Sequence, residues 1–247
     1  MLPIHTSAVV RCPAVTTWLL ISLNALAFFM ELHLPEAQLE KVLYLFGVVP
    51  ARFVHPEWAV SVGFPIDNYW PYLTSQFLHG GFLHLIGNMW TLWLFGRGVE
   101  DRMGSVRFLV FYLSCGFAAG VVHTLVNSGS TVPAIGASGA IAGVLGAYLA
   151  MYPTSRVVVM IPILFYPFFF DMFAVFYLAF WFLLQFFSGT AALVFSSAEA
   201  SGIAFWAHIG GFVAGLLIFP IFLRPRSARC PLQLDEGDIE HAWSRLR

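Results

Sequence analysis

Two small-residue runs in this 247-residue chain each carry one reactive side chain. Gly136-Ala137-Ser138-Gly139-Ala140-Ile141-Ala142-Gly143 opens an apolar helix and holds one hydroxyl. Ala207-His208-Ile209-Gly210-Gly211-Phe212-Val213-Ala214-Gly215 holds one imidazole. A hydroxyl and an imidazole at matching depth form a nucleophile and its base. Serine is a poor nucleophile at neutral pH, so His208 would take its proton and then give it to a leaving amine. His84 and Asn88 are four apart and project from one face of a helix. Both can donate. With the backbone N–H of Ser138, at a helix N-terminus, they could hold the oxyanion of a tetrahedral intermediate. The same half of the spans offers no good acid to stand behind His208, and Asp171 should lie near the opposite end of its helix. The pattern is a dyad with His208 oriented by packing.

Each residue also has a plainer reading. A serine in a membrane helix commonly bonds its own backbone. His208 alone could be a structural donor or a haem ligand, although ionisable groups inside spans are costly and usually functional. His79 and His84 are five apart, a poor spacing for a shared metal, and His79 and His123 read as interfacial. Asp171 reads as a marker of the membrane interface. Gly139 with Gly143, and Gly211 with Gly215, are GxxxG pairs that let helix backbones approach closely in lipid. A serine side chain is short, so the dyad needs that approach.

The elements that must position these residues are membrane spans. The chain is 59% hydrophobic and 10% charged, with a mean hydropathy of +0.80. Soluble domains carry about 25% charged residues. At about 20 residues per span, six helices fit. The expected spans are Ala14–Leu32, Tyr72–Phe95, Phe108–Val126, a short fourth at Ser138–Tyr152, one near Phe168–Phe187, and Ile203–Leu223. Pro162 and Pro167 should break the long apolar run 157–187. Arg97–Arg107 reads as a charged link and Ser188–Ser201 as a loop. The expected organisation is a cytoplasmic lead over 1–13, an all-α six-helix membrane domain over 14–223 with a long outer loop at 34–70, and a cytoplasmic tail over 224–247. The outer loop should pack on itself or dip into the interface. Cys12, Cys115 and Cys230 make neither a disulfide framework nor a metal site. A net charge of −1 argues against a nucleic-acid partner.

Six spans put both termini on one side, together with ten of the twelve basic residues; only Lys41 and Arg52 lie opposite. By the positive-inside rule both termini are cytoplasmic. Ser138, His208, His84 and Asn88 then all fall in the outer half of the bilayer.

These residues resemble the rhomboid family of intramembrane serine proteases. Gly136-Ala137-Ser138-Gly139 is similar to the family's GxSG motif, and His208-Ile209-Gly210-Gly211 with Gly215 to its histidine motif. His84-Leu85-Ile86-Gly87-Asn88 is similar to its HxxxN element. Val99-Glu100-Asp101 with Gly104 looks like the usual link into the third helix, and Trp181 and Gln185 look like the family pattern in the fifth. The resemblance covers about Trp70–Leu223. It implies a six-helix core, no cofactor, and cleavage of membrane-spanning substrates near their outer end. It implies Ser138 as nucleophile, His208 as base, and His84 and Asn88 at the oxyanion. The short tail and compact core point to a prokaryotic inner membrane. Three positions depart from the pattern. Trp70-Pro71 stands for Trp-Arg in the first loop, Ala142 for a tyrosine that stacks on the histidine, and Phe173-Ala174 for Pro-Ala. The alternatives are a catalytically silent rhomboid-like protein that binds membrane clients, and a small transporter or channel.

Overall fold

The computed structural model describes residues 1–65, 67–163, 166–195, 204–225 and 230. Its elements are β1 (Leu2–Thr6), α1 (Val15–Glu31), α2 (Glu36–Phe46), α3 (Pro50–Val54), α4 (Pro56–Ser61), α5 (Pro71–Thr74), α6 (Phe82–Thr91), α7 (Arg97–Met103), α8 (Ser105–Val126), α9 (Ser138–Met151), β2 (Arg156–Ile163), β3 (Tyr166–Phe173), α10 (Ala174–Phe195) and α11 (Phe205–Phe222). Among the described residues, three helices are long and apolar enough to cross a membrane: Ser105–Val126, Ala174–Leu193 and Phe205–Phe222. Val15–Glu31 and Ser138–Met151 are apolar and shorter.

The centre is α9. Every residue from Gly139 to Tyr148 is buried, as a helix without a polar face must be when it fills the middle of a bundle. Small residues allow the close packing. A Cβ at Gly211 of α11 would overlap the Gly139 carbonyl oxygen, and one at Gly215 would overlap that of Gly143. On the opposite side, Gly143 lies against Cys115 of α8. Phe95, Phe108, Phe111, Tyr112, Tyr148 and Leu178 complete the core around this contact.

The N-terminus of α1 is closed from another helix. Ala14, its N-cap, has no side chain that can accept a hydrogen bond, so the first-turn N–H groups need an acceptor from elsewhere. Glu100 supplies it. Its carboxylate, 1% exposed, accepts the Thr16 and Thr17 N–H groups at 2.8 Å and the Thr17 and Ser105 hydroxyls at 2.7 Å. Asp101 accepts the Arg11 and Cys12 N–H groups at 2.7 Å. Gly104, at φ +80°, then turns the chain from α7 into α8.

Several expectations need correction. The run Tyr72–Phe95 is not one helix: Leu78–Gly81 interrupts it at Gly80-Gly81, and a new helix starts at Phe82. That helix continues through a wider π turn at Leu92–Gly96 into α7, so the charged link 97–107 is largely helical and the break is Gly104 alone. The all-α expectation misses a three-stranded antiparallel sheet of order β1-β2-β3. Val157, Val158 and Val159 are β-branched and favour strand, and Pro162 pairs with Pro167 across the hairpin. Helix α10 accordingly starts at Ala174, not Phe168, and runs on to Phe195. Asp171 lies on β3, ion-paired to Arg156, and not on a helix. The lead contains β1, which pairs Leu2 with Met160, and the Trp90 indole donates to the Pro3 carbonyl at 2.6 Å. Cys12 and Cys230 are joined as a disulfide, which a sequence separation of 218 conceals. The remaining loop and tail expectations, at 196–203, 226–229 and 231–247, lie outside the described residues.

The outer loop does pack on itself, as three short helices. Arg52, 5% exposed, donates to the Leu45 carbonyl and sits 4.9 Å from the Phe64 ring centroid. Burial holds its pKa below the ordinary arginine value. It anchors the loop where Trp70, 68% exposed, does not. Val48 and Ala134 exchange backbone hydrogen bonds, which fasten the loop to the turn leading into α9.

Two consequences can be measured by thermal unfolding of the purified protein. Glu100→Ala strands four donors, so it should lose about 3 kcal/mol or more, with Glu100→Gln intermediate. Gly211→Val forces a side chain into backbone that cannot yield and should cost about 3 kcal/mol. Gly87→Ala is the control, because a Cβ there meets nothing within 4 Å. It should be neutral or stabilise by about 0.5–1 kcal/mol.

Candidate functional site

The site forms where α9 begins. Gly136 takes φ +119°, a conformation that residues with a side chain rarely adopt, and its N–H donates to the Ser75 carbonyl at 2.8 Å. The turn thereby delivers Ser138 at the first position of α9. Ala137, the N-cap, offers no side-chain acceptor. Ser138 therefore stands at a helix N-terminus with a favourable dipole for negative charge.

The glycine-packed α11 brings the imidazole. Ser138 Oγ lies 2.8 Å from His208 Nε2. On the far side of the ring, His208 Nδ1 lies 2.8 Å from Gln185 Oε1 on α10. The Trp181 ring, one turn earlier on α10, is 6.0 Å from the imidazole and 6.0 Å from Phe212. Packing alone therefore does not orient His208, as had been expected; a hydrogen bond from the fifth apolar segment contributes. Ala142 is fully buried in α9.

His84 and Asn88 share one face of α6, as their spacing predicts. A Cβ built on Gly136 would lie 2.7 Å from His84 Nε2 and 3.6 Å from Asn88 Nδ2. Both side chains thus face the turn before Ser138. They occupy the first two turns of α6. Ser138, His84 and His208 are half-buried, and Asn88 is buried. Beside Ser138 a cavity of about 30 Å³ is lined by Ser75, Gln76, His123, Gly136 and Gly139. It has room for about one water.

Two participants escaped the sequence reading. His79, expected at the interface, is 3% exposed. Its backbone N–H donates to Glu31 Oε2 at 3.2 Å, and its Nε2 accepts from Asn88 Nδ2 at 3.1 Å. Its ring stands edge-on to His84, 5.1 Å between centroids. Glu31, inside the first expected span, had not been singled out. The available signal was the face Leu20, Asn24, Phe28, Glu31, which repeats at helical spacing and is buried throughout. Among the described residues, no three His, Cys, Asp or Glu side chains group as metal ligands. The arrangement provides a hydroxyl, a base in contact with it, and converging donors, which are the components of acyl transfer.

Comparison with known proteins gives the family. The chain is 35% identical over 117 residues to the Bacillus subtilis rhomboid relative YdcA, covering 46% of this chain and 58% of that protein. It is 33% identical over 141 residues to the Rhomboid protease GluP of Bacillus subtilis, covering 57% and 25%. It is 30% identical over 155 residues to the human Presenilin-associated rhomboid-like protein, mitochondrial, covering 59% and 36%. The chain thus spans from a quarter to just under three fifths of the length of these curated relatives. Residues 67–225, more than half of the chain and with Ser138, His208, His84 and Asn88 among them, match the Rhomboid domain, and the protein is an integral membrane member of the rhomboid family.

Proposed function

We propose that this protein is an intramembrane serine endopeptidase that cleaves transmembrane segments of other membrane proteins near their outer end. The 2.8 Å approach of Ser138 Oγ to His208 Nε2 carries the reading. Ser138 attacks the scissile carbonyl as His208 takes its proton. His84, Asn88 and the Ser138 N–H stabilise the oxyanion. His84 carries more of that load, since the Asn88 amide is already engaged by His79. The imidazolium then protonates the leaving amine. A water from the cavity beside Ser138, activated by His208, releases the acyl group and regenerates the hydroxyl.

In this reading the chain has six spans: α1, the segment α5 to α7, and α8, α9, α10 and α11. Its membrane domain covers 14–223, with the outer loop 34–70. Residues 1–13 and 224–247 lie in the cytoplasm of a prokaryotic cell, and the sheet lies on their side of the membrane. Ten basic residues on the inner side against two outside support that orientation. The donors and the dyad need no cofactor for hydrolysis. The substrates are single-span or multi-span proteins held in the same bilayer.

The deciding experiment reconstitutes the protein in liposomes with a single-span substrate. Wild-type protein should cleave it, and Ser138→Ala should reduce cleavage by at least about 10³-fold. Equal cleavage by both would discard Ser138 as nucleophile. A second experiment checks orientation. Cys12 and Cys230 are bonded in the structure, but cytoplasmic thiols are kept reduced in the cell, so on this reading both should react with a maleimide as soon as cells are lysed without reductant. Complete protection until reductant is added would place the termini on the oxidising side.

A further inference from the structure

We propose that Gln185 is a positioning residue of the dyad. Its side-chain carbonyl selects the His208 tautomer that leaves Nε2 free to take the Ser138 proton. The proposal rests on the serine-protease reading above and assigns within it a role that Ser138 and His208 do not fill themselves.

The argument begins with hydrogen-bond inventory. A neutral imidazole carries one N–H, on either nitrogen. Gln185 Oε1 can only accept, and it lies 2.8 Å from Nδ1. The proton therefore sits on Nδ1. Nε2 is then a bare acceptor, and it faces the Ser138 hydroxyl at 2.8 Å. In the opposite tautomer, two lone pairs would confront each other across 2.8 Å at Nδ1, and Nε2 could not act as a base. A carboxylate at this position would do the same work and would also stabilise the imidazolium. Inside an apolar bundle, however, a charge is expensive to hold, and a carboxamide supplies the acceptor without one.

A second observation concerns what else holds the ring. Ala142 is too small to stack on it. The aromatic nearest His208 is Trp181, which shares a face of α10 with Gln185 four residues on. One helix thus supplies both a ring contact and the hydrogen bond. That helix is not part of the glycine-packed pair. The Ser138–His208 separation is set by the backbones of α9 and α11, whereas the Gln185–His208 separation is set by α10. Helix α10 is rooted in the core at its start by Ala174, Tyr177 and Leu178 and leans on α11 further along through Trp181 and Phe182, while Phe176, Phe180, Leu183 and Phe187 are exposed. Outward movement of α10 would release Nδ1 while leaving the serine and histidine in contact. The base therefore works only when α10 is seated.

The test uses the full chain in liposomes, with kcat and KM for a single-span substrate, labelling of Ser138 by a fluorophosphonate, and both rates measured from pH 5 to 9. Gln185→Leu keeps the volume and removes the acceptor. It should lower kcat and the labelling rate about 10–100-fold and leave KM within about twofold. Gln185→Glu restores the acceptor and adds a charge that stabilises the imidazolium. His208 must be neutral to serve as base, so activity should begin to fall at a higher pH on acidification than in the wild type. A purely structural role would lower thermal stability in both variants and leave the acidic limb in place. Wild-type kcat in Gln185→Leu, or an unmoved acidic limb in Gln185→Glu, overturns the proposal. If the leucine variant does not fold, the glutamate limb decides. Wild-type protein that neither cleaves nor labels overturns the protease reading itself, and the role of Gln185 falls with it.

Discussion

Everything in this protein hangs on two backbones touching. Gly139 and Gly143 on α9 meet Gly211 and Gly215 on α11 with no room for a single methyl group between them. Lipid offers no hydrophobic drive for helices to associate, so close van der Waals contact between small residues has to supply it. The same contact sets the chemistry. A serine side chain reaches only about one bond beyond its Cβ. Helices kept at the ordinary separation of about 8–10 Å would leave Ser138 out of reach of His208. Structural glue and the geometry of the candidate dyad are here one interaction, and a substitution that weakens the first also separates Ser138 from His208.

Around that contact the bundle handles its polar groups by pairing them across elements. Glu100 closes the open N-terminus of α1. Asp101 holds the segment just before it. On the other side of the molecule, Glu31, His79 and Asn88 form a buried series that ends at the candidate oxyanion site. A donor or acceptor without a partner in an apolar interior costs about 1–3 kcal/mol. These pairings are therefore conditions for the helices to sit where they do. Asn88 serves the fold and the site together, which limits how freely it can change.

Much of the site was legible from residue types alone. Ser138 and His208 announce themselves as lone polar groups in apolar runs, and the four-residue spacing of His84 and Asn88 is enough to put them on one face. The helix boundaries at Ala14, Ser138 and Ile203 were within two residues of those observed. What could not be read had physical causes. Val157–Ile161 is short, apolar and β-branched, a composition that periodicity cannot assign to strand or helix. The strand Leu2–Thr6 has no meaning without a partner 158 residues away. Gln185 gave a family pattern but no partner, because only the fold shows which ring nitrogen it meets. His79 looked interfacial because it stands beside Gly80-Gly81; only the fold turns it inward.

The length of α9 has a consequence outside the protein. Fourteen residues at 1.5 Å each make a rod of about 21 Å, and the hydrocarbon layer is about 30 Å thick. Its neighbours α8 and α11 have 22 and 18 residues. The helix that carries Ser138 cannot reach both surfaces of the slab that its neighbours nearly fill. Its neighbours enclose it, so water or headgroups must descend between them to meet its end, at a cost of fractions of a kcal/mol per ångström. Hydration of Ser138 is in that sense partly a property of the bilayer. A thick, ordered membrane would bury the same side chain more deeply than a thin one, with no change in any protein contact.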